Sequence, residues 1–270
     1  MRRQAPIVTL TTDFGLRDPY VAEMKAAILS IARDVQFIDI THEIAAHGIV
    51  EAALALESAV PYFPDGTIHL AVVDPGVGTA RRGLVVEAGG QRFVGPDNGI
   101  FSAFVTGGPW RAWELTAKIY RRHIVSSTFH GRDVFGPAAA HLARGVRPAR
   151  FGPLVVDPVT LPLMGVRRGR GAVEGVVVHV DRFGNLVTSI RADDFVDDGT
   201  IEVRIAGGRL PLVGTYGDLR PGRAGALLGS NGRLEIVVRE GSAAERLRAR
   251  RGARVVVWRR RARGGRPSRT

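Results

Sequence analysis

Residues 7–12 (IVTLTT) form a β-rich apolar run that breaks into the polar loop DFGLRDPY, after which Tyr20, Met24, Ala27, Ile28 and Ile31 recur at helical spacing. That pattern predicts strand, loop, helix. The order repeats, with 35–40 strand-like, 49–59 helix-like and 67–73 strand-like again before DPGVG. Three strands separated by helices predict an α/β N-terminal domain with a mainly parallel sheet of βαβ units. Ligands of such sheets gather beyond the carboxyl ends of the strands. Asp13, His42 and Asp74 each stand just past a predicted strand end. Residues 83–95 carry two β-rich stretches around AGGQ, a hairpin signal, and helical material follows in 98–105 and 134–143.

The segment 144–171 is rich in Pro, Gly and Arg and has no periodicity, which marks a domain boundary. Beyond it VEGVVVHVD, LVTSI, IEVRI, ALLGS and LEIVV are short strands punctuated by Gly, Pro, Asn and Asp, with little room for helices. They predict a small all-β, barrel-like C-terminal domain. The expected division is 1–165 for the α/β domain, 166–258 for the barrel and 259–270 for a disordered arginine-rich tail.

With 270 residues, 45% of them hydrophobic, the chain can bury a sizeable core. The absence of cysteine excludes disulfides, thiolate metal sites and cysteine nucleophiles. The net charge of +12 looks like a nucleic-acid signal until it is located. Eleven arginines and no acid lie in 246–270, which accounts for all but one unit of that charge. The body is electrically ordinary, and the polybasic end is expected to be solvated rather than a nucleic-acid site. Its only aromatic is Trp258, where single-strand binding would need interleaved rings. The start of the chain lacks a continuous apolar signal stretch, and no apolar run approaches the roughly 20 residues of a membrane span. A soluble, cytoplasmic protein without a membrane partner is the expectation.

Each polar candidate has a plain structural alternative. Asp13 fits a helix-capping loop, Asp18 before Pro19 fits an N-cap, and Asp74 fits the first position of a Pro-Gly turn. His130, within STFHGRD, is one of seven histidines, none of them at HxH, HxxxH or HExxH spacing, so no metal site is expected. No GxSxG elbow, phosphate loop or GxGxxG fingerprint follows the first strand. In DRFGNLVTSI, Asp181, Phe183 and Asn185 alternate. As a strand they would share a face suited to a nucleoside; as a turn they would not.

Seven blocks in order, LTTDFGLRDPYVAEMKAAI, IDITHEI, HLAVVDPGVGTARR, FVGPDNGIF, STFHGRD, DRFGNLVTSI and GSNGRLEIVVREGSAAE, resemble the S-adenosylmethionine hydroxide adenosyltransferases, relatives of the fluorinating and chlorinating enzymes that use the same substrate. The resemblance covers about 6–245. It implies the two-domain fold, a homotrimer with substrate held between subunits, S-adenosyl-L-methionine (SAM) as substrate, and no cofactor or metal. Carried over by position, Asp13 would hold the ribose diol and Asp18 the methionine end. Asp181 and Ser230 would also meet methionine, Phe183 and Asn185 the adenine, and the main chain from Val238 to Glu240 the adenine edge. Asp74, Arg81 and His130 would handle water. Arg239 and Glu240 depart from the Asn and Gly usual there. The implied reaction is hydrolysis of SAM to adenosine and L-methionine. Halide transfer is the near alternative, which a carboxylate such as Asp74 would disfavour by repulsion. A non-catalytic nucleoside or polyanion binder is the distant one.

Overall fold

In a computed structural model, which describes residues 4–162, 165–169, 171–195 and 200–260, the IVTLTT run becomes β1 (Ile7–Thr12), followed by α1 (Tyr20–Leu29), β2 (Gln36–Thr41), α2 (Ile49–Ala59) and β3 (Ile68–Val72). The hairpin β4 (Gly83–Ala88) and β5 (Gln91–Pro96) comes next, then α3 (Ser102–Val105), β6 (Trp110–Glu114), α4 (Gly136–Ala143) and β7 (Leu154–Val155). These elements belong to the first of two units, Met1–Leu161. The sheet order is β2-β1-β3-β5-β4-β6-β7.

The expected mainly parallel sheet is corrected to a mixed one. β1 pairs in parallel with β2 and β3, and β3 with β5, but β4–β5, β4–β6 and β6–β7 are antiparallel. Gly89 and Gly90, at φ 55° and 77°, turn the chain directly from β4 into β5, leaving no residues for a parallel crossover. The helix expected over 98–105 is only Ser102–Val105, because Asn98 and Gly99 (φ 94°) form a loop before it.

Strand alternation divides the core between two faces. Val8, Leu10, Ile68, Leu70 and Val72 pack with Met24, Ile28 and the α4 alanines on one side. Ala71, Val73, Leu84, Val86 and Phe93 pack with Ala52, Leu56 and Val105 on the other. Because β1, β2, β3 and β5 run parallel, their carboxyl ends share one edge.

The second unit, Pro162–Thr270, holds β8 (Arg167–Gly169), β9 (Ala172–Val180), β10 (Leu186–Arg191), β11 (Thr200–Ile205), β12 (Gly208–Pro211), β13 (Ala224–Leu228), β14 (Arg233–Val238), α5 (Ala243–Leu247) and β15 (Arg254–Arg260). The order β12-β11-β15-β9-β10-β14-β13 is antiparallel throughout, with β8 on β9. A bridge between Leu212 and Ala226 draws its two ends together, so the sheet is a nearly closed barrel around Val177, Leu186, Ile190, Val203 and Ile236. The reading of 246–270 as a solvated end is corrected for β15, most of which the expected barrel bound at 258 already takes in. β15 lies between β11 and β9, with Val255 and Val257 buried, because RVVVW supplies alternating apolar positions despite its flanking charge. α5 is a short helix the sequence pattern missed, opened by Ser242, whose hydroxyl accepts from the Glu245 N–H at 3.2 Å. Residues 261–270 of the expected tail lie outside the described residues.

Candidate active site

The DPGVG run after β3 folds into a tight loop. The Val77 N–H donates to the Asp74 carbonyl and Thr79 N–H to that of Gly76, at 3.2 and 3.1 Å. Gly78 has φ 77°, and a Cβ there would lie 2.4 Å from the Ser127 carbonyl oxygen, so only glycine lets the loop meet that segment. The loop carries Arg81 back onto Asp74. Arg81 Nε donates to Asp74 Oδ1 at 2.8 Å and an Nη donates to Oδ2, a bidentate pair. Both side chains are largely buried, and the guanidinium carbon stands 5.0 Å from the Phe135 ring centroid.

The same Arg81 Nη2 lies 2.8 Å from His130 Nδ1. A guanidinium only donates, so Nδ1 is the acceptor and the neutral imidazole carries its proton on Nε2. Burial, and then the adjacent Arg81 charge, push the His130 pKa below the usual imidazole value, while Asp74 opposes the shift. His130 precedes a π-helical turn, Gly131–Phe135, that opens into α4. Asp133 in that turn accepts from Arg132 at 2.8 and 2.9 Å and from the Ser126 N–H at 2.9 Å. Burial raises its pKa, but these hydrogen bonds outweigh it and hold the carboxyl below the usual range. The sequence-derived trio Asp74, Arg81 and His130 is thus one connected unit.

Asp13 follows β1, and its Oδ2 accepts from the His47 N–H at 3.0 Å, with His47 itself at φ 65°. Beneath it Thr12 Oγ1 lies 2.8 Å from His42 Nδ1. Asp18 is exposed in the same loop. The N-cap alternative for Asp18 is corrected: Pro19 occupies that position and no side chain caps α1. Phe14, next to Asp13, meets Phe129, next to His130, edge to face at 5.6 Å, and Tyr20 joins them. These rings tie the β1 loop to the His130 segment. No spacing rule would have found them.

In the second unit DRFGN is the β9–β10 turn, so the strand-face alternative is corrected. Asp181 Oδ1 accepts from the N–H groups of Phe183 and Asn185, both at 2.8 Å, and Oδ2 accepts from Asn185 Nδ2 at 2.9 Å. Gly184 (φ 80°) lies so close to Ser242 that a Cβ would be 2.2 Å from its hydroxyl. Phe183 is 77% exposed while Asn185 is buried. Tyr216 and Glu235, which sequence reasoning missed, complete the group. Asn185 Nδ2 also lies 3.2 Å from the Tyr216 hydroxyl. Burial, and then Asp181, raise the Glu235 pKa; burial, and then Glu235 and Asp181, raise that of Tyr216.

Val238 ends β14 at the same end of the barrel as this turn, where Ala244 N–H donates to the Gly184 carbonyl at 2.9 Å. Glu240 is exposed at φ 57°, a conformation that glycine and asparagine favour, so the unusual residue keeps a glycine-like backbone. Ser230 is exposed in the β13–β14 turn, at the other end of β14, and no hydrogen bond among the described residues joins it to the group. Nor do the described residues contain a group of three or more His, Asp or Glu side chains arranged to hold a metal ion, or a helix long and apolar enough to cross a membrane.

Comparison with known proteins places both units. Residues 8–152 match the family model of the SAM hydroxide adenosyltransferase N-terminal domain, and 175–256 that of the C-terminal domain. The chain is 43% identical over 254 residues to the (R)-S-adenosyl-L-methionine hydrolase of Thermus thermophilus, covering 91% of this chain and 96% of the relative. A protein of the same name from Salinispora tropica is 38% identical over 257 residues, 93% and 97% of the two chains. A fluorinase of Actinopolyspora mzabensis is 26% identical over 222 residues, 72% and 74%. The crystal structure of an uncharacterized conserved protein from Thermotoga maritima superposes with a TM-score of 0.85 at 34% identity, covering 94% of this chain and 100% of the other.

Proposed function

The chain belongs to the SAM hydroxide adenosyltransferase family, and from that premise and the site geometry we propose that it hydrolyses S-adenosyl-L-methionine to adenosine and L-methionine. The observation that carries this reading is the part-buried, hydrogen-bonded Asp74–Arg81–His130 unit at the sheet edge.

The sulfonium departs as a neutral thioether, so its departure needs neither a general acid nor a Lewis-acid metal. The demand falls on the nucleophile. As the water oxygen bonds to the 5′ carbon and the C–S electron pair passes to sulfur, that oxygen becomes strongly acidic, and even a weak base can take its proton. His130 Nδ1 is occupied by Arg81, which leaves the remaining lone pairs of Asp74 to orient the water and accept the proton before it passes to solvent. The Nε2–H of His130 can donate to the same oxygen and hold it in line. Arg81 aligns both partners. A halide in this position would face the Asp74 carboxylate, so water should win over fluoride and chloride.

Asp13 is assigned to the ribose diol, Asp18, Asp181 and Ser230 to the methionine portion, and Phe183, Asn185 and the main chain at Val238–Glu240 to the adenine. The two sets stand on separate units. We assign their completion to neighbouring subunits of a homotrimer, as the family resemblance implies. Mixing two inactive variants, Asp74→Asn and Asn185→Ala, should restore turnover if sites are shared between subunits, and recovery of none would refute the sharing. The reaction itself is tested by incubating pure protein with SAM in ¹⁸O-water without added metal. Label in adenosine is the expected result; 5′-halo-adenosine as main product at moderate halide, or no product, would overturn it.

A further inference from the structure

The FVGPDNGIF block contributes no residue to the chemistry above, yet two of its side chains reach the residues on either side of the catalytic loop. Asp74 and Arg81 close a glycine-rich loop whose internal bonds do not determine where its two ends sit. The ladder between β1 and β3 ends at Thr12–Val72, and that between β3 and β5 at Leu70–Val94. The carbonyl of Val73, which shares a peptide with Asp74, is therefore beyond both ladders and buried, where a missing partner would be costly. Asn98 Nδ2 donates to it at 2.8 Å. The Oδ1 of Asn98 separately accepts from the Ile100 N–H at 3.2 Å, which is all its own turn requires. At the other end of the loop, the Asp97 N–H donates to the Arg82 carbonyl at 2.9 Å, and Asp97 Oδ2 accepts from Arg82 Nε at 2.8 Å. Asp97 is almost fully buried, its second oxygen accepts from the Val159 N–H at 2.8 Å, and Asp157 holds Arg82 from the far side at 2.9 Å.

We propose that the consecutive residues Asp97 and Asn98 are positioning residues that bracket the catalytic loop: Asn98 fixes the peptide entering Asp74, and Asp97 fixes the residue that follows Arg81. The inference rests on the assignment of Asp74 and Arg81 to water handling. Bracketing from one rigid strand end makes the separation of the two catalytic groups independent of the loop's own freedom. Substrate-binding residues are untouched by it, so its signature is a loss in kcat rather than in KM.

The test is a double-mutant cycle. Asn98→Ala removes both side-chain bonds, and Asn98→Asp keeps the acceptor for Ile100 but sets an oxygen against the Val73 carbonyl. Each should lower kcat by about 10-fold to 100-fold, the effect of a small misplacement, with KM for SAM nearly unchanged. In an Asp74→Asn background the same substitution should cost almost nothing further, whereas a merely structural role would give a full additional loss. Asp97→Asn, which keeps its backbone bond and its shape, should show the same pattern and stands in if the alanine variant does not fold. A second readout needs no turnover: Asp97→Asn loosens the residue after Arg81, and releasing Arg81 from His130 should raise the His130 pKa in an NMR titration. An unchanged kcat, a loss that persists beside Asp74→Asn, or an unmoved His130 titration would overturn the proposal. A wild-type protein that forms no adenosine would instead overturn the functional reading and leave the His130 titration as the measure of positioning.

Discussion

At the residue scale the proposed chemistry turns on one arginine that serves two partners. Arg81 binds Asp74 through two N–H groups and turns a third interaction onto His130 Nδ1, which decides the tautomer of that ring. Asp74→Asn keeps the shape but loses the charge and the ability to take a proton. Turnover should fall by about 100-fold to 10,000-fold with KM little changed, measured by single-turnover kinetics beside a melting curve. If Asp74 served only its turn, the melting temperature would fall and the chemical rate would not. Arg81 also sets the pH response. Its charge adds to burial in holding the His130 pKa down, so an acid limb of kcat due to His130 is expected below the usual imidazole range in a pH–rate profile. Arg81→Met removes that charge and should move the His130 titration to higher pH, as followed by NMR. Arg81 and His130 are legible in sequence only through the order of the motifs around them, whereas Asp74 also stands just past a predicted strand end. Local spacing leaves Asp74 open between a site residue and a turn residue, because an aspartate before Pro-Gly satisfies both roles.

At the scale of elements, strand and loop signals were legible where periodicity is strong and obscure where packing decides. β1, α2 and the β4–β5 hairpin follow their patterns, since alternation or helical spacing there coincides with burial. β6, β15 and α5 did not declare themselves. β15 hides within a polybasic run, and its place depends on two neighbours distant in sequence. At Gly78 the loop from Asp74 to Arg81 leaves no room for a side chain against the Ser127 carbonyl, so Gly78→Ala should reduce kcat sharply while most of the fold persists, checked by far-ultraviolet circular dichroism beside the assay. His69, central in β3, joins Thr9 and Gln91 by hydrogen bonds and stacks on Phe93. Burial lowers its pKa to about 4. Between 6.5 and about 4 the unfolded chain therefore binds a proton that the folded chain refuses, and stability should decline as pH falls through that window. The loss attributable to His69 is on the order of 3 kcal/mol, measured by denaturant unfolding from pH 7 to 4, and His69→Gln should remove it.

At the scale of the whole molecule the two units answer to different demands. The mixed sheet gathers the ends of β1, β2, β3 and β5 on one edge, and the barrel offers a turn in which Asp181, Asn185 and Tyr216 are joined. Truncation separates the structural part of the basic end from the remainder. Removing 261–270 should leave the melting temperature and turnover nearly unchanged, whereas ending the chain before Arg254 deletes β15 from between β11 and β9 and should abolish the cooperative unfolding of the barrel. Loss of turnover from the first truncation, with the melting temperature preserved, would place the last ten residues in the site or the assembly.

By itself the amino-acid sequence determined the two-domain order, the βαβ beginning, the barrel of short strands and, through seven motifs in register, the family and its candidate residues. These are properties of local propensity and of order along the chain, which need no third dimension to be read. Only the tertiary structure decided that the first sheet is mixed, that part of the polybasic end is a central strand, and that DRFGN is a turn with Asp181 and Asn185 bound to one another. It also decided that Arg81 bridges Asp74 and His130, and that Asp97 and Asn98 reach back to the residues flanking the Asp74–Arg81 loop. These depend on which groups the fold brings within hydrogen-bonding distance, some as far apart in the chain as Arg81 and His130 or β9 and β15, and a hydrogen bond acts over about 3 Å whatever the separation along the chain.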